Sequence, residues 1–144
     1  DFEGFLKVLP DKHGGVALRH ALEVRHDSFV SPDFAALARK HGAAIVYAHH
    51  EEYPEIADVT GDFVYARLQR GSDDNENCYR DVELDQWAAR AREWAEGGQP
   101  DDLPLASPSE TADKKPRDVF VYFITEGKVR APHGAMALQK RVDS

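Results

Sequence analysis

The feature that most constrains this fold is the alternation of short apolar runs with amphipathic segments. We expect strands in the four apolar runs, at about 17–24, 43–48, 62–68 and 118–124. Helical periodicity predicts helices over about 32–41, 84–96 and 132–141. Strands that alternate with helices indicate an α/β fold, with a parallel sheet of βα units whose strands are adjacent in chain order.

Several residues mark where these elements begin and end. Ser31 and Pro32 suit the cap and first position of a helix, and Gly42 suits its end. The first nine residues have helical spacing and resemble the last turns of a helix. Pro, Ser and Asp are frequent at about 99–117, which we interpret as a polar surface insertion in a single α/β domain spanning residues 1–144.

Charged residues lie within two of the predicted strands. Glu23 and Arg25 alternate along the first strand and therefore point to one face, and Tyr65 and Arg67 share a face of the third. Ligand sites in α/β folds lie at the carboxyl ends of parallel strands. We therefore predict a pocket in which Arg25 and Arg67 bind an anion and Glu23 acts as acid or base. A structural ion network of the same residues stays open as an alternative.

Composition bears on the partners of the chain. The net charge of −8 disfavours nucleic acid as a partner. The small anionic ligand is expected from Arg25 and Arg67. Cys78 is the only cysteine, which fits a reducing compartment, and we expect a cytoplasmic protein. No apolar run is long enough to cross a membrane.

Two polar stretches contain residue types that bind metal ions. Residues 49–52 (HHEE) contain adjacent histidines, but neighbouring residues of a strand point to opposite faces and do not easily share one ion. Residues 70–77 lack the ligand spacing of a calcium loop. We predict neither a metal nor another cofactor.

Four segments together resemble a known family. They are residues 21–29 (ALEVRHDSF), 60–68 (TGDFVYARL), 84–88 (LDQWA) and the strand at 118–123 with the Ala131-Pro132 that follows. The pattern resembles the YecE-like family, a domain of unknown function, over nearly all of the chain. The resemblance implies a TIM-barrel-like fold, of which this chain matches the C-terminal half.

The resemblance also bears on the site. Glu23, Arg25, Tyr65 and Arg67 match the family pattern. Three positions depart from it: Gln69 stands where the family has His, His49 where it often has Asp, and Ile124-Thr125 where it usually has Asn. We keep Gln69 and His49 as candidate ligand-binding residues. Enzyme activity is left open, beside a non-catalytic binding module and a purely structural role.

The edges of the predicted sheet bear on assembly. Four parallel strands leave two edges unpaired, and an open edge invites pairing with another chain. We therefore expect either a homodimer or association with a missing N-terminal half of the barrel.

Overall fold

A computed structural model describes residues 1–124 and 128–144. The helices are α1 (Phe2–Val8), α2 (Pro32–Lys40), α3 (Asp81–Ala95) and α4 (Ala131–Asp143), with a short 3-10 turn at Asp27–Phe29. The strands are β1 (Lys12–His13), β2 (Val16–Ala17), β3 (Ala21–Leu22), β4 (Ala44–Ile45), β5 (Tyr47–His49), β6 (Phe63–Leu68) and β7 (Asp118–Phe123). The fold is therefore mixed α/β. No helix of the described residues is both long and apolar enough to cross a bilayer.

The predicted strands pair in parallel and in the predicted order. β3 pairs with β4, and β5, β6 and β7 form a three-stranded sheet in that sequence. The second predicted strand supplies both β4 and β5, which Val46 separates. The Val46 N–H donates to the Leu22 carbonyl at 2.9 Å, so the contact with the first strand continues through this break.

The first predicted strand is much shorter than expected. Only Ala21–Leu22 pairs with the parallel sheet, because Val16–Ala17 turns back and pairs antiparallel with Lys12–His13. The turn of this hairpin is Gly14-Gly15, with φ of +57° and +80°. Two consecutive residues at positive φ suit a tight hairpin turn, for which glycine is the favoured residue.

The predicted helices are confirmed, with small shifts at their ends. At α2 the Ser31 hydroxyl accepts a hydrogen bond from the Phe34 N–H at 3.2 Å, and Pro32 occupies the first turn. Gly42 follows the helix at φ +66°. The capping residues named from the sequence therefore act as predicted at both ends of α2.

Two apolar clusters hold the helices on the sheet. Helices α3 and α4 contact each other and pack against β5–β7 around Tyr47, Leu68, Trp87 and Trp94. The second cluster joins α1 and α2 to β3 and β4. Its buried residues include Leu6, Leu22, Phe34, Ala38 and Ile45. One face of the sheet is thus covered.

The segment 99–117 contacts the core more closely than its polar composition indicates. Leu103 and Ala106 are buried. The buried Asp58 carboxylate accepts hydrogen bonds from the backbone N–H groups of Ala106 at 2.6 Å and Ser107 at 2.9 Å. The Asp58 carboxylate therefore anchors the middle of the segment, a contact that the composition of 99–117 does not reveal.

Candidate functional site

Glu23, Arg25 and Arg67, which we call the Glu23 cluster, meet at the carboxyl end of the sheet. Glu23 and Arg25 follow β3, whereas Arg67 is the penultimate residue of β6. The Oε1 atom of Glu23 accepts from Nη1 of Arg67, and its Oε2 atom accepts from Nη2 of Arg25 at 3.2 Å. The carboxylate therefore connects the segment after β3 to β6, on either side of the β4–β5 segment.

The Glu23 cluster lines an open pocket of about 470 Å³. The other lining residues are Ala21, Val46, Tyr65 and Ile124. The side chain of Arg67 is 19% exposed, that of Glu23 is 25% exposed and that of Arg25 is 54% exposed. All three charged groups can therefore be reached from solvent, and the structure brings four of the six predicted site residues together.

Aromatic rings border the pocket. The ring of Tyr65 stacks on that of Tyr122, with centroids 4.9 Å apart. The guanidinium of Arg25 lies over the Tyr53 ring, at 4.7 Å from its centroid, and Tyr53 in turn stacks on His50. Sequence reasoning missed Tyr53 and Tyr122. The signal for Tyr122 was the alternation of side chains along β7. Tyr122 lies opposite Arg67 in the register, so the two side chains share one face of the sheet.

The charges of the cluster favour a bound anion. Burial raises the pKa of Glu23, but the hydrogen bond and charge of Arg67, together with Arg25, outweigh it, and the pKa lies below its ordinary value. Glu23 is therefore ionised at neutral pH. One negative and two positive charges leave the cluster at +1, on a chain whose formal net charge is −8.

His49 lies on the opposite, helix-covered face of the sheet. Its Nδ1 atom is 3.0 Å from the Tyr79 hydroxyl, and its ring meets the Trp87 ring edge-on at 5.1 Å. Burial lowers the pKa of His49, as does the charge of Arg70. The structure does not bring His49 together with the Glu23 cluster.

Gln69 is also absent from the pocket lining. Its backbone N–H donates to the His49 carbonyl at 2.9 Å, and its side-chain Oε1 is buried with no hydrogen-bond partner among residues 1–124 and 128–144. Thr125, the other departure near this end of the sheet, lies outside the described residues. The predicted site is therefore confined to Glu23, Arg25, Tyr65 and Arg67.

A second depression, of about 420 Å³, lies at the opposite end of the strands. Its buried cation is Arg117, which donates to the carbonyls of Gly61, Gly97, Asp113 and Lys115 at 2.8–3.4 Å. These contacts hold loops together and leave the guanidinium few free donors. In the Glu23 cluster, in contrast, Arg25 and Arg67 line an open pocket.

Comparison with known proteins supports the fold. The family model described as "Protein of unknown function DUF72" matches residues 1–144. The crystal structure of a DUF72 family protein from Enterococcus faecalis V583 superposes with a TM-score of 0.60 at 14% sequence identity, over 99% of this chain and 52% of that protein. This chain thus spans about half the length of that protein. No curated protein matches the chain.

Proposed function

The chain belongs to the DUF72 family, and we propose that it binds a small anionic ligand in the pocket of the Glu23 cluster. The observation that supports this most directly is the convergence of Arg25 and Arg67 on one carboxylate at the wall of an open pocket. A guanidinium group has five donors in a planar fork, and this geometry suits carboxylate and phosphate. Each arginine uses one of these donors on Glu23, so further donors remain for a ligand.

Each residue of the pocket then has a distinct role. Arg67 is the less exposed cation and holds the anion deepest in the pocket, while the more exposed Arg25 closes over it. Tyr65, stacked on Tyr122, supplies an aromatic wall. Glu23 lies within reach of a ligand that both arginines hold. Because Glu23 is ionised, it would first accept a proton from the ligand in any proton exchange. The proposal concerns binding and does not require a reaction.

Binding of inorganic phosphate tests the proposal. We expect isothermal titration calorimetry to detect phosphate binding to the wild-type chain and a loss of affinity of about tenfold or more in Arg67→Met, since a hydrogen bond to a charged group contributes about 1.5–3 kcal/mol. Arg80→Met is the matched control, because Arg80 is an exposed arginine paired with Glu83 on α3. Absence of wild-type binding, or equal affinity in Arg67→Met, would show that the pocket is not an anion site.

The alternative is a structural or non-catalytic module in which the Glu23 cluster only links strands. It is favoured by the hydrogen bonds at both Glu23 oxygens, which leave the carboxylate paired without a ligand. This alternative predicts that phosphate does not raise the unfolding midpoint of the wild-type chain, although both hypotheses expect Arg67→Met to lose the ion pair with Glu23. Anion binding predicts that phosphate raises this midpoint in the wild type and not in Arg67→Met.

We also propose that the fold is half of a TIM-like barrel of YecE-like type. Support comes from the parallel order of the strands and from a pocket at their carboxyl ends, where ligands of such barrels bind. Association of two copies stays a prediction. Light scattering checks it, with a dimer expected and a stable monomer as the contradicting result.

A further inference from the structure

We propose that the ligand of the Glu23 pocket is a small 2-hydroxy carboxylate, whose hydroxyl donates to Glu23 while its carboxylate binds Arg25 and Arg67. This inference rests on the proposed anion binding and adds the chemical class of the ligand. Its basis is the position of Glu23 between the two cations. An anion that approaches either guanidinium also approaches a negative charge, which disfavours a ligand without a hydrogen-bond donor.

The hydrogen bonds of Glu23 leave room for such a donor. A carboxylate has about four acceptor positions, and within the described residues Glu23 uses one on each oxygen, for Arg67 and for Arg25. Its side chain is partly exposed at the pocket. A hydroxyl next to the ligand carboxylate can therefore donate to Glu23 without displacing either arginine. An acid that lacks the hydroxyl must instead lie beside the Glu23 charge or break its ion pairs.

Charge balance separates a hydroxyl donor from an ammonium donor. The cluster has a net charge of +1, from two arginines and one glutamate. A hydroxy acid has one negative charge and a neutral donor, so it brings the pocket to zero. A zwitterionic amino acid has no net charge and leaves the excess positive charge in place. The pocket therefore favours the hydroxy acid.

The walls of the pocket fit the same class. Its volume of about 470 Å³ leaves ample room for a small carboxylic acid. Tyr65 and the side chains of Val46 and Ile124 line it beside the charged residues. The substituent of a hydroxy acid such as lactate therefore meets an apolar surface while its two polar groups face the Glu23 cluster.

Calorimetric titration with lactate and propionate tests the inference, because the two acids differ by one hydroxyl. We expect the wild-type chain to bind lactate about tenfold tighter than propionate, as one hydrogen bond to a charged acceptor predicts. In Glu23→Leu we expect the preference for lactate over propionate to disappear. Propionate should bind this variant at least as tightly as it binds the wild type, because both arginines have lost the Glu23 carboxylate as a partner. Arg80→Met keeps the preference.

A third acid keeps the test independent of the folding of Glu23→Leu. In 2-methoxypropionate the hydroxyl hydrogen is replaced by a methyl group, so we expect wild-type affinity to fall to that of propionate or below. Equal wild-type affinities for lactate and propionate would overturn the inference while leaving anion binding intact. Absence of binding for all acids and for phosphate would overturn the proposed function itself.

Discussion

Alternate residues of β6 lie in two different environments. Ala66 and Leu68 are 0% exposed and pack under the helices, whereas Tyr65 and Arg67 point to the face that holds the pocket. β5 repeats the contrast, with Tyr47 and His49 on the covered side. The two faces differ in chemistry as well, since the covered face is apolar and aromatic and the open face combines aromatic rings with paired charges.

This difference separates stability from binding. Side chains on the covered face are surrounded by protein, so their truncation leaves a cavity that raises the cost of folding. Side chains on the open face border solvent, so their truncation loses few packing contacts. Substitutions on the first face should therefore cause the larger losses in the free energy of unfolding, and substitutions on the second should cause smaller losses and change the affinity for an anion.

The largest effect is expected for Trp94→Ala on α3. Trp94 is almost fully buried against Tyr47, with ring centroids 6.1 Å apart, so its truncation should lower the free energy of unfolding by about 3–5 kcal/mol. Tyr122→Ala removes an aromatic ring from the open face, where Tyr122 is 45% exposed, and should cost much less. Urea unfolding measures both variants. Equal losses would contradict the distinction between the faces.

The next effect concerns the anchor of the segment 99–117. Asp58→Ala leaves the N–H groups of Ala106 and Ser107 without their acceptor, and we expect a loss of about 2–3 kcal/mol. Hydrogen exchange should also become faster in 99–117 than in β6. Asp101→Ala, in the exposed part of the same segment, is the control. Unchanged protection of 99–117 in Asp58→Ala would show that the carboxylate is not the anchor.

A smaller effect is expected within the Glu23 cluster. A double-mutant cycle of Glu23→Gln and Arg67→Met should give a coupling energy of about 1–3 kcal/mol, because these two side chains are mostly shielded from solvent. The cycle of Glu23→Gln with Arg25→Met should give about 0.2–1 kcal/mol, since Arg25 is more exposed. Both come from urea unfolding. A larger coupling to Arg25 would reverse the roles that we assign to the two arginines.

The smallest effect is the pH dependence that His49 adds on the covered face. Its pKa lies below the ordinary value of 6.5, so below that pH the unfolded chain binds more protons than the folded chain. The contribution of His49 is therefore complete above pH 6.5, and stability falls as the pH falls below it. Unfolding midpoints at pH 7.5 and 5.5 should differ less in His49→Gln than in the wild type, and an identical difference would contradict this.

The sequence could predict the part of the candidate site that follows from the alternation of side chains along a strand. Alternation alone grouped Glu23 with Arg25 and Tyr65 with Arg67, and the parallel order placed the two pairs at one end of the sheet. The face on which His49 lies could not be predicted in this way. Alternation shows which residues of one strand share a face, but it does not show which residues of the neighbouring strand lie on the same side of the sheet. That relation depends on the pairing register, which the structure supplies.

Two further differences from the sequence prediction have different causes, one local and one between distant segments. The hairpin that shortens the first strand arises from Gly14-Gly15, whose positive φ angles commit the chain to turn before β3. Burial in 99–117 depends on Asp58, which lies more than forty residues earlier in the chain. Local composition therefore indicated a polar surface insertion, because it contains no information about this distant acceptor.

The most direct test of the anion site is an NMR titration that observes the arginine Nε–Hε signals of the wild-type chain as phosphate is added. We predict saturable shifts at Arg25 and Arg67 with a common dissociation constant. Arg80, exposed at the N-cap of α3, and Arg117, held by backbone carbonyls, should show no saturable shift. Shifts confined to Arg117, or unchanged signals at Arg25 and Arg67 at saturating phosphate, would contradict the anion site.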